Sequence, residues 1–469
     1  MTRLTASLSR LVTGRPPRGA RLLVEAPPVK DTHGQHLYSG GGTVEFDQDG
    51  RLAVDLLATD TFGTDPATWA YTFTVLWDGG GLPPFTAAVT GPLVDLADLQ
   101  PMDPAAPVYL AQSPSDVARA MRRFHVALAD AATTPVNIGW GPTNSIGDGF
   151  GAPTMLDRCS HVFLTEVRRS LGLTGGLGYV DCWNQPQFPD HPLTTTAQGH
   201  PWTATGLGRQ AIEYRPDTYQ QFTLTGITGL DLVYTGSADS RVLTYVLTDA
   251  GGTSGEVKYL DTAEPVARGG YTEVVARELL PDATYLLSMA RVTGGNPVVE
   301  GLVLYNGDET SGVRMFEAGQ SGYRAADYVA PHDGWADSLR NYQPALVVLP
   351  ILSNDWASGR TPDQGRDALL AVIEKTRSVL DVAPSILLVG EYDRAHSNPV
   401  PWDAYRAVYA DVAANDPDVA FVDFTDAFGP YDGTNRGGLL DPREDPAAVH
   451  PSKAGHRKIG LGAARVALP

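Results

Sequence analysis

The sequence predicts an α/β protein: a doubly wound sheet interrupted by an all-β insertion and preceded by a small β-sandwich. Three observations carry that prediction. The runs "ALVVLPI", "SILLVG" and "VAFVDF" are continuously apolar, as in strands covered on both faces. Helical stripes lie between and around them. Residues 22–100 and 206–305 instead show short strand-like runs broken by Gly, Asp and Asn, with no helical period.

Composition bounds the answer. A chain of 469 residues, 42% hydrophobic and 19% charged, has ample material for packed cores. Acidic residues outnumber basic ones by 54 to 35, for a net charge of −19. Such a chain repels phosphate backbones and anionic lipid, so no nucleic-acid partner is expected. No apolar run is long enough to predict a membrane span. Met1–Arg21 holds five arginines but lacks the apolar core of a secretory signal, so none is expected there. Cys159 and Cys182 read as free thiols, and neither a metal nor a cofactor is expected.

The elements follow in order. "GGTVEFD" and "RLAVDLLATD" alternate around the turn residues "DQDG", and "WAYTFTV" alternates again. These place a β-sandwich in residues 1–110, ending in a linker at "DLADLQPMDPAAP". Ser113 and Pro114 then open a helix whose stripe is Val117, Met121, Phe124 and Leu128. "PVNIGW" is a short strand, and "SHVFLTEVRRSLG" a helix capped by Gly172. The α/β domain is assigned to 111–205 and 306–469, with the jelly-roll-like insertion at 206–305 between its parts. Helices are expected near Pro362–Leu380, at Pro401–Asn415 and after His450.

In open α/β sheets the reactive groups sit in loops past the carboxyl ends of strands. Those loops present Ser145 in "TNSIGDGFGA", Gly322 in "GQSGYRAAD", Asn354 in "LSNDWASG" and His450 in "VHPSKAGH". Each residue taken singly is an ordinary cap or turn residue. Together and in this order they resemble the four blocks of the SGNH (GDSL-like) hydrolase family. The resemblance covers about residues 114–205 and 306–469, and it implies acyl-ester hydrolysis on a flavodoxin-like, three-layer fold. It implies Ser145 as nucleophile and His450 as base and then acid. The Ser145 N–H, the Gly322 N–H and the Asn354 amide would form the oxyanion hole. A serine hydroxyl needs such a base, and the tetrahedral oxyanion needs such donors.

The sequence departs from the family at three places. Thr143-Asn144 replaces Gly-Asp before the serine, and Leu352 stands two residues before Asn354 where the family has glycine. The aspartate expected three residues before His450 is Ala447. Asp445 is assigned to orient the imidazole instead, ahead of Asp441; without it the site is a Ser–His dyad. Asp148 and Asp355 read as a weak alternative carboxylate pair. His161, His332 and His456 lack metal spacing and read as solvated or capping residues. Trp140, Trp183 and Trp356 read as core before pocket.

The insertion resembles the carbohydrate-binding sandwiches of some SGNH esterases. The N-terminal module resembles the leading domains of minor tail proteins of actinobacterial phages. The expected setting is therefore a virion tail, with an acylated glycan or lipid of the host envelope as substrate. Tail and baseplate proteins are the implied partners and a homotrimer the implied assembly. The alternatives are a non-catalytic receptor-binding tail protein on a degenerate hydrolase fold, and a cytoplasmic thioesterase or lipase.

Overall fold

The computed structural model describes the chain apart from its two terminal residues and a set of loop segments, the longest being 8–18, 97–108 and 429–437. The chain divides into two compact units, Met1–Pro107 and Val108–Pro469.

In the first unit Thr2–Ser7 pairs antiparallel with Arg51–Leu56 and parallel with Leu93–Asp95. A second sheet pairs Arg21–Asp31 with His36–Glu45 and Tyr71–Trp77. Tyr71, Phe73 and Val75 are buried in a core with Leu4, Leu22, Val24 and Leu52, while the intervening Thr72 and Thr74 are half-buried. That is the period-two pattern of a sheet covered on one face. Asp47 Oδ1 accepts from the N–H of Asp49 and Arg51, both at 2.9 Å, so the expected turn closes. Its flanking strands pair elsewhere, however, and the turn hands the chain from one sheet to the other. Most of the expected linker lies outside the described residues.

The second unit is built on five parallel strands: β1 (Val136–Thr143), β2 (Val313–Gly319), β3 (Leu346–Pro350), β4 (Ser385–Gly390) and β5 (Val419–Asp423). Their order across the sheet is 2-1-3-4-5, the flavodoxin-like arrangement, with Tyr109–Leu110 antiparallel at the β5 edge. Alternate residues feed two cores. Leu346, Val348, Leu387 and Val389 face one, and Val347, Leu349, Ile386 and Leu388 face the other. Hence the unbroken apolar runs.

Among the described residues, the seven α-helices longer than five residues cover the faces: α1 (Pro114–Ala120), α2 (Arg122–Ala129), α3 (Cys159–Leu171), α4 (Trp335–Tyr342), α5 (Pro362–Ser378), α6 (Trp402–Asn415) and α7 (Lys453–Ala467). α1, α2, α3 and α7 pack on the first core, α4, α5 and α6 on the second. The helix expected from Ser113 is divided at Met121, yet its stripe of Val117, Met121, Phe124 and Leu128 stays buried. Gly172 caps α3 in the left-handed conformation. No described helix is long and apolar enough to cross a membrane.

Between β1 and β2 the chain builds two antiparallel sheets. The expected start at residue 206 is late. Gly178–Asp181 already pairs with Val298–Tyr305, and Leu193–Thr196 with Tyr219–Thr225. The strand Val298–Tyr305 explains how this insertion is seated. Leu302 and Leu304 face the core between the two inserted sheets, while Val303 and Tyr305 face the α4–α6 core. One inserted sheet is thus a middle layer. Buried Glu300 fixes it, accepting from Ser338 Oγ of α4 at 2.7 Å and from Thr235 Oγ1 and the Gly270 N–H at 2.8 Å each.

Candidate active site

The site lies at the carboxyl end of the sheet, where strand order reverses between β1 and β3. Thr143, the last residue of β1, donates its hydroxyl to the Pro350 carbonyl at the end of β3 and brings the two loops together. Ser145 follows two residues later and is 5% exposed. Its Oγ lies 2.9 Å from His450 Nε2. His450 Nδ1 lies 2.5 Å from Glu444 Oε1, and Glu444 Oε2 accepts from the N–H of Val449 at 2.8 Å and of His450 at 3.0 Å. With the Nδ1 proton directed at the carboxylate, Nε2 is left as the acceptor for the serine hydroxyl. Burial pushes the Glu444 carboxyl up, but the donors from the His450 ring and the two N–H groups outweigh it and hold the group at about 2. It is ionised throughout the neutral range.

The carboxylate role assigned to Asp445 is therefore filled by Glu444, and Asp445 itself lies outside the described residues. Glu444 ends a short helical turn, Pro442–Glu444, and its longer side chain crosses back to the imidazole. Asp441 does not compete, because its carboxylate is held by Arg443 Nε and Nη2 at 2.6–2.9 Å.

The histidine loop is packed from behind. The Phe150 ring sits 5.3 Å from the His450 ring. At Gly151, with φ +91°, any Cβ would lie 2.1 Å from the Pro451 carbonyl oxygen, so only glycine allows this approach. His456 is fully buried, which excludes a solvated ring, and of the two expected roles it takes the capping one, at the first residue of α3. Its Nδ1 accepts from the Cys159 N–H at 3.3 Å, and its Nε2 donates to the Phe150 carbonyl at 2.9 Å. Burial holds it neutral, with its pKa lowered to about 4. His161 is likewise buried and its pKa depressed by burial. His332 lies outside the described residues. No group of His, Cys, Asp and Glu among the described residues is arranged to hold a metal.

The residues expected to form the other half of the site, Gly322 and Asn354, line a cleft of about 750 Å³ with Tyr323, Arg324, Asp327, Ser358 and two alanines; neither Ser145 nor His450 is among its lining residues. Gly322 adopts φ +79° in the loop after β2. Asp355, fully buried, anchors that loop by accepting the Ala325 N–H at 2.7 Å. Burial raises its carboxyl to about 6 against the pull of that N–H and of Arg360. Asp355 and Asp148 show no mutual pairing, and Asp148 instead faces Gln210 at 3.5 Å. Asn354 Nδ2 donates to the Tyr323 carbonyl at 2.9 Å, which leaves its second N–H free of that bond. Leu352 has φ +87° where the family carries glycine. Such a backbone costs on the order of 1–3 kcal/mol, and burying the leucine in the α4–α6 core offsets it. Trp140 and Trp356 are core residues, and Trp183 lies outside the described residues.

Two residues that sequence reasoning missed join the halves. Asn144 Nδ2 donates to both Ser353 Oγ and Glu391 Oε1, each at 2.9 Å, while its Oδ1 accepts the Ile146 N–H at 2.9 Å. Arg394 Nη2 donates to Asn354 Oδ1 at 2.7 Å. Both Glu391 and Arg394 follow β4, in a segment without a motif.

A hydroxyl, an imidazole and a carboxylate in series at this end of a 2-1-3-4-5 sheet define the class of serine hydrolases. Residues 295–458 match the GDSL-like Lipase/Acylhydrolase family. The match starts in the turn before the last inserted strand and so leaves out Ser145, which the insertion separates from the remaining blocks. The chain carries a GDSL-like hydrolase domain and is an ester hydrolase. Among solved structures, "Peptidoglycan O-acetylesterase in action, 5 min" is similar at 14% identity and TM-score 0.50, over 75% of this chain and 95% of that one. A family two carbohydrate esterase from Clostridium thermocellum, in complex with cellohexaose, is similar at 13% identity and TM-score 0.28, over 62% and 97%. TesA is similar at 25% identity and TM-score 0.24, over 32% and 76%. No curated protein matches the chain.

Proposed function

We propose that the protein removes short acyl groups from a hydroxylated, glycan-like alcohol by a Ser145–His450–Glu444 mechanism. The observation that carries this reading is the unbroken hydrogen-bond series from Ser145 Oγ through both His450 nitrogens to Glu444. Ser145 Oγ bonds to the ester carbon as its proton passes to His450 Nε2, and the carbonyl electrons move onto oxygen. Collapse of that intermediate breaks the bond to the alcohol, which leaves with the proton from Nε2. Water repeats the sequence, releases the carboxylic acid and restores Ser145. Glu444 stabilises the imidazolium without taking its proton. The Gly322 N–H and the Asn354 amide serve the oxyanion.

The cleft supports the choice of substrate. Its apolar lining consists of the Tyr323 ring and two alanines, too little to cover a long acyl chain, whereas Arg324, Asp327 and Ser358 suit hydroxyls. A protein sharing the fold is a peptidoglycan O-acetylesterase. Hydrolysis should be fastest for p-nitrophenyl acetate, slower for butyrate and negligible for palmitate, with acetate released from O-acetylated envelope glycan. Ser145→Ala should abolish all of it. Equal or better turnover of palmitate overturns the substrate assignment.

The phage-tail setting belongs to the same proposal. It is supported by the resemblance of the N-terminal module, whose residues fold as a unit of their own. Mass spectrometry of purified particles should find the chain with tail proteins, and the mass of the isolated protein should be that of a trimer.

A further inference from the structure

Arg394 makes no part of the hydrogen-bond series at Ser145, yet it is 3% exposed and directed at the other half of the site. Its Nη2 donates to Asn354 Oδ1 at 2.7 Å, and on the far side of the same amide Asn354 Nδ2 donates to the Tyr323 carbonyl at 2.9 Å. A guanidinium only donates and a carbonyl only accepts, so this amide has one orientation. A serine or asparagine in place of Arg394 would tolerate either. The oxygen is committed to Arg394, and the NH2 group is kept on the side of the Gly322 loop and the cleft.

The hydrogen bond to Asn354 is not matched by an ion pair: among the described residues Arg394 forms none, and its buried Nε has no hydrogen-bond partner. Burying a guanidinium is costly, and one hydrogen bond to a neutral oxygen offsets little of that cost. The fully buried Glu391 carboxyl, whose Oε1 accepts from Asn144 Nδ2 at 2.9 Å, is the nearby opposite charge, and Arg394 lowers it against the push of burial. A positive charge held behind an amide oxygen withdraws electron density from the N–H on its other end, making a stronger donor for a negative charge.

We propose that Arg394 is the positioning residue of the oxyanion hole, locking the Asn354 amide toward the cleft and polarising it as the tetrahedral intermediate forms. This rests on the reading of Asn354 as an oxyanion donor. Its effect therefore falls on kcat and is transmitted only through Asn354.

The test is a double-mutant cycle on p-nitrophenyl acetate with wild type, Arg394→Met, Asn354→Ala and the double variant. Arg394→Met should lower kcat about 10- to 100-fold with KM within about threefold, and cost less than about twofold once Asn354 is alanine. Arg394→Lys should recover most of the loss. Unchanged kcat in Arg394→Met, or the same loss in both backgrounds, overturns the proposal. Should thermal melts show Arg394→Met unfolded, Arg394→Lys and Arg394→Gln carry the same cycle, with glutamine expected to be the slower. Labelling of wild type by a fluorophosphonate, lost in Ser145→Ala, tests the underlying reading separately. A protein that labels normally yet ignores Arg394 refutes only the inference, whereas one that never labels refutes the site.

Discussion

The two halves of the site are held in different ways. On the Ser145 side the reacting groups touch each other: hydroxyl, imidazole and carboxylate form one series of contacts at 2.9 and 2.5 Å. On the Asn354 side the group is held from outside, by a backbone carbonyl at one end and a buried guanidinium at the other. On the proposed function, the difference follows from what each half does. A proton relay works only through direct contact, whereas an oxyanion donor must keep one N–H uncommitted until charge develops. Its supports must therefore approach from behind.

That contrast orders the expected losses. Ser145→Ala removes the nucleophile and should lower kcat by roughly 10⁴-fold or more. Glu444→Gln keeps the shape but loses the charge that stabilises the imidazolium, so kcat should fall by about 10²- to 10⁴-fold. Asp445→Asn should stay within a few-fold of wild type, and a loss matching that of Glu444→Gln would return the role to Asp445. Asn354→Ala removes one donor and should cost about 10²- to 10³-fold, with KM little changed. If Asn354→Ala proves more damaging than Glu444→Gln, the contact-dependent half is not the dominant one. Steady-state kinetics on one acetyl ester ranks all four.

Ser145, Gly322, Asn354 and His450 were legible because they lie in loops that end buried strands, and loop order survives any insertion. Glu444 was missed for a geometric reason. Reading at fixed spacing looks three residues before His450, at Ala447, and then for the nearest aspartate. A glutamate six residues away reaches only because Pro442–Glu444 turns and the side chain is one methylene longer. The neighbouring acids Glu444 and Asp445 were the available signal. Arg394 and Glu391 left none, since their role depends on which side chains β4 delivers beside β3 and β1. The early start of the insertion was hidden by brevity: Gly178–Asp181 is four residues long and finds its partner strand more than a hundred residues later. Leu352 is the opposite case. The departure was visible in the sequence, but only the fold shows that a glycine-type backbone and a buried leucine compete there.

The smallest effect distinguishes the halves by acid. Glu444 is held at about 2, below its usual value, so its contribution to stability is complete above about 4.5 and is lost as pH falls toward 2. Asp355, beneath the Gly322 loop, is raised to about 6, so its sign is reversed. Relative to the unfolded chain, the native state is favoured while Asp355 is protonated, and that advantage is lost as pH rises from about 4 through 6. Thermal melts of Asp355→Asn and Glu444→Gln against wild type across pH 3–8 separate the two. Asp355→Asn should gain on wild type as pH rises through 6, because it keeps an acceptor for the Ala325 N–H without the buried charge. Glu444→Gln should lose to wild type most at neutral pH and least near pH 3. Parallel curves would mean that the carboxylates of the two halves are held alike, and the contrast between contact and outside support would not extend to their electrostatics.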